Sequence, residues 1–147
     1  MTSGQTTKPR VLVIDEDLLF STRVESTLLK LGYDVLVTAD PDEGISVAET
    51  NALSLTILNF GREGLRPLET VAALKGVYQP APVLGFLSHK LIPAIRDAAR
   101  EAGCDLLVAN SALVLRLAQL VERLAPLDGS VAQIVEAEEI AEAPEGG

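Results

Sequence analysis

The run Val11-Leu12-Val13-Ile14, followed at once by Asp15-Glu16-Asp17, constrains this chain more than any other stretch. Four consecutive branched apolar residues without alternation describe a strand covered on both faces, as in the parallel sheet of an α/β protein. In such sheets a ligand is held beyond the carboxyl ends of the strands, and that is where the three acids fall. Adjacent carboxylates repel one another unless a cation, a basic side chain or water screens them. The trio therefore reads as a metal site or as a helix start. Asp17, directly before Leu18-Leu19-Phe20, has the form of an N-cap.

The rest of the chain repeats this unit. The spacing of Val24, Leu28 and Leu31 predicts a helix over 18–31, closed by Gly32. A shorter, alternating strand over 33–37 has the character of an edge strand, and Asp40-Pro41 opens a helix to about residue 49. A third strand over 53–59, a Gly-bounded loop over 61–64 and a helix over 67–75 follow. Pro80-Ala81-Pro82 then launches a strand over 83–88. A helix over 93–102, a strand over 106–109 and a helix over 112–125 complete the series. Strands alternating with helices through short Gly, Pro and Asp punctuation predict a single flavodoxin-like (βα)5 α/β domain. Its parallel five-stranded sheet should have the order 2-1-3-4-5, with helices on both faces. The domain is expected over 10–126, after a flexible polar leader (1–9) and before an acidic tail (127–147) expected to be disordered.

Composition narrows the function. With 48% hydrophobic residues but no apolar run near the ~20 needed to cross a bilayer, the chain is expected to be globular and not a membrane protein. The leader lacks the apolar core of a secretory signal, so a cytoplasmic location is expected. One cysteine, Cys104, excludes an internal disulfide, and with one histidine, His89, no zinc cluster can form. A net charge of −9 and 3% aromatic residues argue against nucleic-acid binding. Most of the acidity belongs to the tail, where Asp128, Glu136, Glu138, Glu139, Glu142 and Glu145 stand without a Lys or Arg.

The last helix has polar residues only at 116, 119, 122 and 123, a narrow stripe for a helix lying on a sheet. That pattern predicts a second apolar face. Leu113, Leu117, Leu120, Val121 and Leu124 are the expected contact residues, for a protein partner or for a homodimer through helix 4, strand 5 and helix 5.

On its strand rhythm and strand-end residues, the segment 10–124 resembles the receiver domain of bacterial response regulators. The resemblance implies an acidic cluster after strand one that binds magnesium, a phosphoaccepting aspartate ending strand three, a Ser or Thr ending strand four, and a lysine ending strand five. Asp15, Glu16 and Asp17 match the cluster. Asn59 stands at the phosphoacceptor position. Ser88 takes the hydroxyl position when counted back from Gly103, whereas counting from Pro82 places Leu87 there. Asn110 replaces the lysine, and Leu107 replaces the strand-five aromatic that reports phosphorylation in many receivers. A neutral amide has no anionic oxygen with which to attack phosphorus, and Asn110 brings no charge to hold phosphoryl oxygens. The resemblance therefore implies a degenerate member, a pseudo-receiver in two-component signalling that is not an enzyme. It would need no cofactor beyond weak magnesium at Asp15, Glu16 and Asp17, and would act through protein–protein binding.

Two other chemistries are weaker. Ser88-His89 are sequence neighbours, an arrangement that rarely lets the ring reach the hydroxyl. Asp15-Glu16-Asp17 has the Asp-x-Asp form that opens haloacid-dehalogenase-type phosphatases. The later strand ends offer Asn59, Ser88 and Asn110 instead of the lysine and acids that such an enzyme needs. With about twenty residues after the last helix, a stand-alone module without an output domain is expected.

Overall fold

Each strand of the computed structural model, which describes residues 8–128, ends where its sequence turns from apolar to polar. The elements run β1 (Arg10–Ile14), α1 (Leu18–Leu31), β2 (Asp34–Thr38), α2 (Pro41–Thr50), β3 (Leu55–Asn59), α3 (Pro67–Lys75), β4 (Val83–Leu87), α4 (Ile92–Ala102), β5 (Leu106–Ala109) and α5 (Asn110–Leu124). All pairings are parallel, in the order β2-β1-β3-β4-β5. This is the flavodoxin-like arrangement anticipated from the alternating pattern. The leader up to Thr7 and the acidic tail beyond Asp128 lie outside the described residues.

The continuous apolar runs become the central strands. β3, β4 and β5 are buried along their whole length, and β1 is buried from Val11 onward. β2 is only partly covered, as an edge strand is. The register pairs Ile14 with Leu58, Asn59 with Phe86, and Leu87 with Ala109. The residues just past these positions, together with Asn59 itself, therefore meet at one edge of the sheet.

Helix boundaries follow their caps. Asp17 Oδ1 accepts the Phe20 N–H at 3.1 Å to start α1, and Gly32 ends it in the left-handed region at φ 108°, where a side chain would be strained. α1 packs beside α5, while α2, α3 and α4 form a second contiguous layer. The Tyr33 hydroxyl donates to the Ala125 carbonyl at 2.8 Å and fixes the end of α5 to the turn after α1. No helix among the described residues is long and apolar enough to cross a membrane.

The last helix departs from expectation. It starts at Asn110, not Ala112, and Arg116 (φ −121°, ψ 20°) interrupts its helical geometry with a kink. Leu113, Leu117, Leu120, Val121 and Leu124 are all buried in the core, so they cannot form the outward contact face expected of them. The broad apolar circumference is used within the chain, because α5 contacts α1 as well as the strands beneath it. The apolar side chains that α5 does expose are Val114 (48%) and Leu115 (81%).

Candidate functional site

The strand ends bring Asp15 and Asn59 into direct contact. Asp15 is fully buried, a costly place for a carboxylate. Its Oδ1 accepts from the Asp17 backbone N–H and from Asn59 Nδ2, both at 3.0 Å, while its Oδ2 has no hydrogen-bond partner among the described residues. Burial raises the Asp15 pKa above the usual 3.8, and the charge of Asp17 adds to that. The hydrogen bonds from Asp17 and Asn59 and the charge of Arg62 act in the opposite direction.

Asn59 is committed at both ends of its amide. While Nδ2 holds Asp15, Oδ1 accepts the Gly61 N–H at 2.7 Å. An aspartate at 59 would place a second carboxylate against Asp15. The amide instead supplies the donor that the buried acid needs.

The other two acids turn to different partners. Asp17 spends Oδ1 on the α1 cap and presents Oδ2 to Arg62 at 3.3 Å. Glu16 is exposed, and its Oε2 lies beside Gly64. Among the described residues no three His, Cys, Asp or Glu side chains converge as a metal-ligand set. Magnesium binds through several converging oxygens. With Arg62 lying against Asp17 and the Asn59 oxygen already used, the described residues present no converging set of free oxygens to that ion.

These groups border an open cleft of about 330 Å³, lined by Asp17, Asn59, Arg62, Ser88 and Asn110 on its polar side and by Phe20, Phe86 and Leu91 on its apolar side. The Phe20 and Phe86 rings lie 5.1 Å apart and tilted by 32°. Ser88 reaches the cleft, whereas Leu87, the other residue that counting allowed, is buried in β4 opposite Ala109. Ser88 precedes a short 3-10 turn (His89–Leu91) and makes no side-chain cap hydrogen bond there. Asn110 is the exposed first residue of α5. Leu107 does not reach the cleft. It is fully buried in β5, against Gly85 and near Phe60.

The structure thus brings Asp15, Asp17, Asn59, Ser88 and Asn110 to one edge, with Glu16 turned to Gly64, and binds them together in ways the sequence did not indicate. Arg62 is the chief omission from the site. Its contact with Asp17 joins residues 45 positions apart, and a lone arginine in a polar loop carries no local sign of its partner. The cluster of Phe60, Gly85 and Leu107 behind the site was likewise missed. A Cβ on Gly85 would stand 2.5 Å from Phe60 Cε1, which requires glycine there, although the sequence shows only a glycine in a strand.

A five-stranded parallel sheet with polar residues converging at its carboxyl edge defines the flavodoxin-like α/β class. No family model matches the chain. In sequence it is 29% identical over 126 residues to the transcriptional regulatory protein PrrA of Mycobacterium tuberculosis and of Mycobacterium bovis, a match covering 86% of this chain and 54% of those relatives. The chain therefore spans about half the length of the curated relatives it matches. In structure it is similar to a LuxR-family two-component response regulator from Aurantimonas sp., at 25% identity and a TM-score of 0.68 over 92% of this chain and 96% of that one. It is also similar in fold to the chemotaxis protein CheY4 of Vibrio cholerae, at 20% identity and a TM-score of 0.72 over 80% of this chain and 99% of that one. In sequence and fold, then, the chain is similar to the receiver domains of response regulators.

Proposed function

We propose that this receiver works as a phosphorylation-independent module that acts by binding another protein. One observation carries the reading. The position that would accept a phosphoryl group holds an amide whose nitrogen and oxygen are both engaged, by Asp15 and by the Gly61 N–H. No anionic oxygen is available there to form an acyl phosphate. Two further features support it. Arg62 lies against Asp17 where a bound cation would otherwise balance the acids, and Leu107 fills the interior with no aromatic ring to swing outward. A cytoplasmic setting and the absence of an enzymatic role are part of the same proposal. Leu120, Val121 and Leu124 of α5, all buried, are not part of its binding surface.

A second reading keeps weak magnesium binding and an unconventional input at Asp15, Glu16, Asp17 and Ser88. What favours it is the Oδ2 of Asp15, a buried oxygen without a donor among the described residues. A cation reaching it would have to displace Arg62 from Asp17.

Intact-protein mass spectrometry after incubation with acetyl phosphate and magnesium tests the proposal, run beside the Asn59→Asp variant. The expected result is an unmodified natural protein. A phosphoryl adduct on the natural protein overturns it and returns the switch reading to first place.

A further inference from the structure

α1 and α5 together expose more large apolar side chains than the rest of the described chain. Between them lies a furrow of about 130 Å³, lined by Phe20, Val24, Leu113, Val114 and Leu117, with Arg23 and Thr27 on its rim. Of the nine exposed large apolar side chains among the described residues, five belong to these two helices: Leu18, Leu19, Leu29, Val114 and Leu115. A sixth, Leu127, follows α5 and lies over Gly32 at the end of α1. Val114 lines the furrow itself, and apolar side chains left exposed around such a furrow mark a contact surface.

Three features point to its occupant. First, the described chain ends at Asp128, at the C-terminal ends of the two helices that form the furrow, because the Tyr33 hydrogen bond to Ala125 holds the end of α5 beside the end of α1. Second, the residues that follow include Val131, Ile134, Val135 and Ile140 set among Glu136, Glu138, Glu139 and Glu142, with no base between 129 and 147. Third, charge favours this face. α1 and α5 each hold two bases against one acid, Arg23 and Lys30 against Glu25, and Arg116 and Arg123 against Glu122. α2, in the opposite layer, has Asp42, Glu43 and Glu49 and no base. Reach is ample, since α5 from Leu113 to its end spans roughly 20 Å and a dozen residues of extended chain cover about 40 Å.

We propose that residues 130–143 of this chain seat in the α1/α5 furrow, with their apolar side chains on its floor and their glutamates against Arg23 and Lys30. Seated there, the segment covers an apolar face that a partner would otherwise reach. Phe20 lines both the furrow and the strand-end cleft, so occupancy of one is felt at the wall of the other. The furrow lies outside the Asn59 site, and failure of this proposal leaves the functional reading untouched.

The test is a nitroxide label on the full chain at Ala137→Cys. Cys104 is buried, with its thiol pushed up to about 12, so labelling is confined to residue 137. The expected result is loss of the Arg23, Thr27 and Val114 amide NMR signals, with α2 and α3 signals kept. The signals return in the Arg23→Glu/Lys30→Glu variant. The absence of selective loss overturns the proposal, as does unchanged loss in the charge-reversed variant. Equal loss in isotopically labelled, nitroxide-free chains mixed with isotopically unlabelled chains carrying the nitroxide assigns the furrow to a second copy and also overturns it.

Discussion

Restoring the acid at Asn59→Asp should destabilise this protein at neutral pH. Nδ2 of Asn59 donates to the buried Asp15 carboxylate at 3.0 Å, and the substitution puts an oxygen in place of that donor. Two effects follow. A hydrogen bond to a charged group is lost, worth about 1.5–3 kcal/mol. Two carboxylates then face each other at roughly 3 Å, a repulsion of about 5 kcal/mol at an effective dielectric near 20. Sharing of one proton relieves most of that repulsion, at about 1.4 kcal/mol for each pH unit above the pair's pKa. The net expectation is a loss of about 2–4 kcal/mol at pH 7.5, a fall in Tm of roughly 10 °C for a domain of this size.

The sign of the pH dependence makes the expectation specific. The Asp15 pKa is already raised above 3.8 by burial, and a second acid raises it further. A carboxyl whose folded-state pKa lies above its unfolded value stabilises the fold while protonated and loses that contribution as pH rises through the folded pKa. Stability of the variant should therefore fall more steeply than that of the parent as pH increases from about 4 upward. Denaturant melts between pH 5 and pH 8 measure it. Millimolar magnesium should raise the variant's midpoint, because the new carboxylate and the Oδ2 of Asp15 can then converge on a cation, and leave the parent unchanged. A variant as stable as the parent and with the same pH slope would refute the reasoning, since it would mean that Asp15 is already neutral and that Asn59 holds no charge in check.

Other expectations follow from burial and packing. Leu120→Glu should unfold the domain, not merely block association, because it places a charge at a fully buried position; the loss is at least 3 kcal/mol, visible as a lost cooperative melt in circular dichroism. Gly85→Ala should cost about 1–3 kcal/mol in chemical denaturation, since its Cβ would stand 2.5 Å from Phe60 Cε1 and 3.0 Å from Leu107 Cδ1. Cys104 should react with a thiol reagent only on unfolding, being buried with its thiol pushed up to about 12, and rapid reaction of the native protein would contradict that placement.

The elements that sequence reasoning placed well are those whose ends carry local chemistry. α1 starts at an Asp cap and ends at a left-handed glycine, and its observed span is the one anticipated. α3 lies between Pro67 and Gly76 and was equally legible. The central strands were legible because two-sided burial writes a continuous apolar run. α5 was not, for a physical reason. A wide apolar stripe says how much of a helix is covered and not by what, and contact with α1 and the sheet uses the circumference that had been assigned to a partner. In the site, the strand order alone sufficed to gather Asp15, Asn59, Ser88 and Asn110. The hydrogen bonds that set their chemistry join side chains far apart in the chain, as Asp15 and Asn59 are at 44 positions, and depend on rotamers that no local pattern encodes.

The two asparagines that depart from the receiver pattern are unequal, and burial decides which matters. Asn59 is 8% exposed and bonded to a buried acid, whereas Asn110 is exposed at the first position of α5. Relative to the receiver pattern, one exchange removes an anion and the other a cation, so together they leave the local charge balance unchanged. Water screens a charge at 110, and Asn110→Lys alone should therefore change stability by less than about 0.5 kcal/mol. In the Asn59→Asp background the same lysine faces an unbalanced pair of acids across the cleft and should recover about 1 kcal/mol. A double-mutant cycle of the four proteins isolates that coupling. A coupling near zero would place the residue-110 side chain beyond reach of the acids, and the loss of the lysine would then be an incidental surface change. A coupling near 1 kcal/mol would mean that the cleft can still bring a cation to the acids, and that the amide at residue 59 alone keeps it from needing one.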